Sequence, residues 1–309
     1  MILLCGIPSE APLARVAHEL DRLGVPTTVF NQRESVAGTC TFELDCSGLR
    51  GELQLSRSTL RLEDVGAVYT RLMDDRILPE LDSEPPDSPA RTACRELHDT
   101  LYRWMEITPA RVVNRASAMA SNGSKPYQAQ LIARAGFAVP ETLVTNDPEL
   151  VRAFFAEHGR VVYKSVSGSR SVVQELTWDD FDRIEDIRWC PVQFQAYVPG
   201  VDVRVHVVGQ QIFATRVTSE ATDYRYAGLD GGRAARLEET TLDDATAERC
   251  IDVTRELGLR FSGIDLRMTP EGEAVCFEVN PSPAYAYYEG HTGQPIAAAV
   301  ARHLAGAAR

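Results

Sequence analysis

Apolar residues recur in two rhythms along the first eighty positions. Met1–Cys5 and Thr27–Phe30 are short strand-like runs, and between them Leu13, Val16, Ala17, Leu20 and Leu23 repeat at helical spacing within Glu10–Leu23, which Gly24 ends. This predicts a βαβ start to a small α/β domain. Further strands are expected at Gly51–Leu55 and Thr59–Leu62, as a hairpin, and at Ala67–Arg71. The breaker-rich segment 82–89 reads as an exposed loop, Ala90–Met105 as a helix, and Val112–Asn114 as a short strand ending the domain.

From about residue 115 the pattern changes. Helix Lys125–Ala135 stops at Gly136, Val139–Val144 is extended, and Asp147–His158 is a helix with Asp147 and Pro148 at its start. Strands Arg160–Lys164 and Val172–Leu176 flank a small-residue loop, Ser165–Ser171. Val192–Tyr197, Asp202–Val208 and Gln211–Thr218 follow as strands, the last two joined by a Gly209-Gln210 turn. Ala227–Arg236, with Gly228, Gly231 and Gly232, reads as a mobile loop. Helix Asp243–Leu257, strands Phe261–Met268 and Ala274–Asn280, and a final helix Gln294–Leu304 complete the chain.

Composition narrows the chemistry. A chain of 309 residues that is 44% apolar can bury a sizeable core in two or three domains. Its formal charge of -12 argues against broad electrostatic binding to nucleic acid or an anionic membrane. The seven cysteines are scattered, with no Cys-x-x-Cys pair, which reads as reduced thiols in a cytoplasmic protein. The N-terminal run lacks a basic flank and meets Glu10, so a buried strand is expected there and not a signal peptide. No apolar run approaches the length of about 18 residues needed to span a membrane. P-loop, His-Glu-x-x-His and Gly-x-Ser-x-Gly patterns are all missing.

The basic residues are lopsided: 30 are Arg and only two, Lys125 and Lys164, are Lys. Lys164 ends a strand and enters Ser165-Val-Ser-Gly-Ser-Arg-Ser171, whose N–H groups and hydroxyls could close over a polyphosphate. Asp265 and the Glu278-Val-Asn280 triplet stand on consecutive strands, with Glu278 and Asn280 on one face. Both carboxylates lie in strongly apolar stretches, where burying an unpaired charge is costly. Oxygen donors of this kind suit magnesium, which is usually held by one or two carboxylates together with substrate phosphates.

These residues carry a resemblance. Lys125, Lys164 with its loop, Val192-Gln-Phe-Gln-Ala-Tyr-Val198, Asp202-Val-Arg204, Asp265 and Glu278-Val-Asn280 have the order and spacing of the ATP-grasp carboxylate–amine ligases. Within that superfamily the chain resembles the ribosomal-protein glutamate ligases and, more closely, the microviridin-type or graspetide peptide ligases. Asp223-Tyr-Arg225 and the run from Asn280-Pro-Ser-Pro-Ala-Tyr to Glu289–Ile296 favour the latter. The resemblance implies an α/β (α+β) ATP-grasp fold: an N-terminal pre-ATP-grasp domain (1–114), a central subdomain with a phosphate-covering loop (115–191), and a C-terminal subdomain with the metal and substrate sites (192–309).

It also implies roles. Lys125 and Lys164 would contact the α- and β-phosphates of ATP, with Ser165, Ser167, Gly168 and Ser169 in the covering loop. Gln195, Ala196, Tyr197 and Val198 would form the hinge that meets adenine, with Asp202 on the ribose. Arg204 would approach the γ-phosphate or an acyl phosphate, while Asp265, Glu278 and Asn280 would hold one or two Mg2+ ions, or Mn2+. Many members carry Glu where this chain has Ala196, so one anchoring contact of the hinge would be missing. Arg225 is the candidate grip for a substrate carboxylate; Arg71 and Arg170 are weaker ones, and Tyr285, Tyr287 and Tyr288 could pack at the substrate mouth.

The reaction implied begins with in-line attack of a carboxylate on the γ-phosphate, giving an acyl phosphate and ADP. An alcohol or amine then displaces phosphate to leave an ester or amide. The leading expectation is side-chain macrocyclisation, Asp or Glu to Thr, Ser or Lys, in a ribosomally made precursor peptide. Alternatives are ligation of a small amino acid to an amino acid, peptide or protein tail, kinase-like phosphoryl transfer, and a non-catalytic ATP-binding protein. A homodimer is a further expectation of the resemblance.

Overall fold

In the computed structural model every residue is described except 47, 167–172, 220–234 and 307–309. Strand β1 (Ile2–Gly6) is buried at every position, as befits a strand covered on both faces of a parallel sheet. Helix α1 (Ala11–Arg22) buries Leu13, Val16 and Leu20 along one stripe, and β2 (Thr27–Asn31) follows. Next, β3 (Thr39–Asp45), β4 (Gly48–Gln54) and β5 (Thr59–Arg61) form a separate antiparallel sheet. The β4–β5 hairpin is the expected one, whereas β3 was not expected. Its Cys40, Phe42, Leu44 alternation has the strand period, but the strand is mostly exposed, with only Cys40 and Phe42 partly buried.

Strand β6 (Ala67–Thr70), helix α2 (Pro89–Ile107) and β7 (Arg111–Val113) complete a four-stranded parallel sheet in the order β2-β1-β6-β7. Ser88 caps α2 by accepting from the Arg91 amide. One face of the sheet packs on α1. The other packs on α2, through Leu97, Leu101 and Trp104, and on the three-stranded sheet.

Short α3 (Ala116–Met119) leads to α4 (Lys125–Arg134), β8 (Thr142–Thr145), α5 (Pro148–His158), β9 (Val161–Ser165), β10 (Gln174–Glu175), a 3-10 stretch Trp178–Trp189, and β11 (Val192–Ala196). These strands form an antiparallel sheet ordered β10-β9-β11-β8. The strand expected at Val172–Leu176 is reduced to Gln174–Glu175 among the described residues. Val161 and Phe194 bury one face against α5 and Ile184. Alternation then turns Val162, Lys164, Gln193 and Gln195 to the opposite face.

The last sheet is antiparallel in the order β14-β13-β12-β15-β16, built from β12 (Val201–Val208), β13 (Gln211–Thr218), β14 (Arg236–Thr240), β15 (Phe261–Met268) and β16 (Ala274–Asn280). Arg236, assigned from sequence to the end of a loop, instead begins β14, because Arg236–Thr240 pairs along β13. Helix α6 (Asp244–Glu256) and α4 cover one face of this sheet, where Val203, Val205, Ile264, Leu266 and Cys276 meet Val253 and Ile132. The expected final helix is α8 (Ile296–Ala305); before it stands a helix that was not expected, α7 (Ala286–Thr292), ended by Gly293 at φ 74°. Helix α8 packs on α1, so the first and last thirds of the chain share one core. The architecture is a mixed α/β fold of several sheets, as the sequence pattern implies.

Candidate active site

The open face of the last sheet carries a row of charges set by register. Thr215, Arg204, Asp265 and Glu278 lie side by side on β13, β12, β15 and β16. Arg204 is almost fully buried and donates from Nη1 to Oδ1 of Asp265 at 2.6 Å. One pair along, Arg267 grips Asp202 with both ends of its guanidinium, Nε to Oδ1 at 2.8 Å and Nη2 to Oδ2 at 3.0 Å, and donates to the Val198 carbonyl at 2.9 Å. Such two-point pairs fix direction as well as charge.

A β-bulge sets what β16 presents. Asp265 pairs with Glu278 but Leu266 pairs with Cys276, so Phe277 is the extra residue. Phe277 and Glu278 therefore both line the cleft, while Cys276 and Val279 stay in the core. Asn280, opposite Gly263, shares the face of Glu278. Its Oδ1 accepts from the Ser282 amide at 2.8 Å; an amide oxygen retains a second lone pair after one such bond.

Across an open cleft stands the central sheet, with Val162, Lys164, Gln195 and the hinge from Ala196 to Val198 facing Asp202, Arg204, Asp265 and Glu278. Side-chain Nε2 of Gln195 donates to Thr142 at 3.0 Å. Ala196 is opposite Val161, so its Cβ shares a face with Phe194, and its N–H donates to the Glu141 carbonyl. The Tyr197 N–H donates to Arg160, and the Tyr197 ring is stacked 3.7 Å from the Arg160 guanidinium. Lys125 opens α4, one turn before Gln128, and Gln128 is tied to the backbone of Val279, next to Asn280.

Donor chemistry at this face suits a hard divalent cation: two carboxylates in direct cross-strand register and an amide oxygen, all oxygen ligands. Among the described residues no group of three or more His, Cys, Asp or Glu could hold a metal. A set of two carboxylates and an amide leaves coordination positions for phosphate oxygens and water, which is how magnesium is usually bound.

Several residues of this face were not singled out in the sequence. Arg267 follows Asp265 by two and could have been found by strand period; Phe277 could not, because alternation alone sends it away from Glu278. Gln193 lies beside Lys164 on the cleft side, buried, with no partner for Oε1 among the described residues. Gly263 is needed for close approach, since a Cβ there would collide with Nη2 of Arg204 and lie 2.7 Å from Cβ of Pro283. His206, two residues beyond Arg204, is fully buried, with Tyr288 edge-on to its ring at 5.0 Å. Burial and the Arg204 charge hold its pKa well below the usual histidine value, so it is neutral.

Two expectations change. Arg71 is not turned to a substrate: Nε donates to Glu10 Oε1 at 2.8 Å and Oε2 at 2.6 Å, and Nη1 to Ser282 Oγ at 3.0 Å. The tyrosines stand on and beside helix α7. Tyr285 is core, with its hydroxyl on the Pro12 carbonyl; Tyr288 lies under Arg204 and His206; only Tyr287 is exposed. Arg225, Ser167, Gly168, Ser169 and Arg170 lie outside the described residues. Ser165 is exposed at the end of β9. Among the described residues no helix is long and apolar enough to cross a membrane, and all seven cysteines are free.

Comparison with known proteins gives this geometry a family. The profile of the RimK-like ATP-grasp domain matches residues 122–304. A probable alpha-L-glutamate ligase of Xanthomonas euvesicatoria pv. vesicatoria is 27% identical over 221 residues, covering 66% of this chain and 72% of that protein. The ATP-grasp ligase PsnB, solved with minimal precursor, Mg and ADP, is 28% identical with a TM-score of 0.81, over 100% of this chain and 97% of PsnB. A RiPP-associated ATP-grasp ligase of Chryseobacterium gregarium, in complex with ADP and a leader and core peptide, superposes with a TM-score of 0.84 at 22% identity, over 99% of this chain and 96% of that one.

Proposed function

Because this chain belongs to the RimK-like ATP-grasp family, we propose that it binds ATP in the cleft between the central and last sheets and activates a carboxylate of a ribosomally made precursor peptide, closing side-chain ester or amide rings. In this reading residues 1–114 precede the grasp, 115–191 supply its central part and 192–309 its C-terminal part. The observation that carries the peptide substrate is the likeness to PsnB over the whole chain, N-terminal third included, in a structure that holds a precursor, Mg and ADP. The curated relatives named as glutamate ligases support the second reading, addition of a small amino acid to an acceptor.

The chain's own groups divide the work. Tyr197 and Ala196 have committed their N–H groups to the Arg160 and Glu141 carbonyls, which leaves Val198, whose N–H has no partner among the described residues, to meet adenine. The Ala196 departure then removes little, since its side chain shares a face with Phe194 and not with Lys164. Asp202, steadied by Arg267, faces the ribose; Lys125 and Lys164 meet the phosphates. Asp265, Glu278 and Asn280 would hold one or two magnesium ions, which when bound offset phosphate charge. Arg204, packed between Asp265 and Tyr288, is placed to stabilise charge on the transferring phosphoryl group. Arg225 remains the proposed grip on the substrate carboxylate. An enclosed site matters because water would hydrolyse an acyl phosphate.

The test is ADP release coupled to intact-mass measurement, with candidate precursor peptides and with amino acids alone. Loss of one water per linkage from a peptide supports ring closure. ADP release with amino acids alone, and no change in peptide mass, would favour the second reading.

A further inference from the structure

The turn that leaves β16 is held at nearly every residue by a side chain from elsewhere. Gln128 accepts from the Val279 N–H at 3.1 Å and donates to its carbonyl at 2.9 Å. Asn114 donates to the Pro281 carbonyl at 2.6 Å. Arg71 donates from Nη1 to Ser282 Oγ at 3.0 Å and to the Pro283 carbonyl at 3.3 Å, and Ser282 donates from its N–H to Oδ1 of Asn280. With Pro at 281 and 283 the turn has few N–H groups of its own. Its shape is imposed from outside.

Arg71 brings the N-terminal sheet into this arrangement. It directly follows β6, beside the end of β1, where the strand order reverses: β2 lies on one side of β1, β6 and β7 on the other. In open parallel sheets that crevice is the usual place for a ligand. Here the protein's own turn comes over it. Arg71 is nearly buried and locked by Glu10, with Nη2 to Oε1 at 2.5 Å in addition to the two Nε bonds. Gly6, at φ 150°, keeps the crevice narrow, since a Cβ there would lie 3.1 Å from the Arg71 carbonyl oxygen.

We propose that the Glu10–Arg71 pair is a positioning element for the metal-ligand turn: it holds Ser282, and through Ser282 sets the direction of the Asn280 amide oxygen. This rests on the reading of Asp265, Glu278 and Asn280 as magnesium ligands. Groups behind a metal ligand fix its orientation, and their loss commonly costs about 10- to 100-fold in metal affinity or activity. The planar guanidinium reaches Glu10 on one edge and the turn on the other; an ammonium at position 71 is a single point charge and cannot serve both in the same geometry.

Mn2+ serves as the probe, titrated into the full chain with ADP present and followed by the EPR signal of free Mn2+. Arg71→Lys is expected to weaken Mn2+ binding about tenfold and Ser282→Ala several-fold, with the apparent KM for Mg2+ rising more than kcat falls. Ser282→Ala removes one hydroxyl and should leave the melting temperature near that of the wild type, which separates positioning from a general loss of fold. Wild-type Mn2+ affinity in both variants, beside a loss of binding in Glu278→Gln, would overturn the positioning role alone. Unchanged affinity in Glu278→Gln would overturn the metal reading and the inference with it.

Discussion

The two walls of the cleft are built on opposite plans. The last sheet presents Arg204, Asp265, Asp202 and Arg267 already cross-linked in pairs by strand register, with Glu278 beside them. Among its described residues the central sheet presents Lys164 to the cleft, at the end of a strand, flanked by neutral amides and apolar side chains. One wall is a fixed charge template; the other carries far less charge among the described residues. Polyphosphate chemistry needs both. In the proposed function, charges that stabilise a transition state must be in place before it forms, whereas the facing wall has to let nucleotide in and out.

That contrast is broken most severely at the template. Glu278→Gln or Asp265→Asn should lower ADP release by about 10²- to 10³-fold while the protein stays folded; rates within tenfold of wild type would contradict the template role. Gly263→Ala comes next, because its methyl displaces the Arg204 guanidinium. Overpacking of this kind costs about 1–3 kcal/mol, and kcat should fall with little change in KM for ATP. Denaturant melts and steady-state kinetics check the two effects separately.

At the two lysines the expected losses are smaller and fall on binding. Lys164→Arg and Lys125→Arg should raise KM for ATP about tenfold, since a planar guanidinium does not occupy the space of a compact ammonium. A double Arg variant of full activity would remove the special status of the only two lysines. The smallest effect is one of pH on stability. Burial, with Arg111 and Arg260 nearby, lowers the His303 pKa to about 4, and His206 is also lowered by its burial beside Arg204. The unfolded chain takes up these protons below the ordinary histidine value while the folded one does not, so stability falls as pH drops from about 6.5 towards 4. Replacing both histidines with Asn should flatten the dependence of melting temperature over that window.

Legibility in the sequence follows burial and period. Strands β15 and β16 run over the same residues that the sequence pattern assigns to them, because a strand with one face in the core writes its register into the sequence. Strand β3 was illegible because most of it is exposed, so polar and apolar positions were under little constraint. At the candidate site, the shared face of Glu278 and Asn280 followed from spacing, but Phe277 did not, since a bulge breaks the period that spacing relies on. Arg71 illustrates the opposite error. An arginine at a strand end resembles a substrate grip until Glu10, 61 residues away, is seen to hold it.

By itself the sequence determined the chemical inventory: two lysines, two carboxylates and an asparagine on adjacent strands, and a fold in which strands and helices of known period can carry them. These are local properties, set by side-chain type and by repeats of two or 3.6 residues. Only the tertiary structure decided which charges meet. Arg204 reaches Asp265 across 61 positions, and Arg71 reaches Ser282 across 211. Such contacts depend on strand order and on where a bulge shifts the register, and both are fixed by the packing of whole sheets.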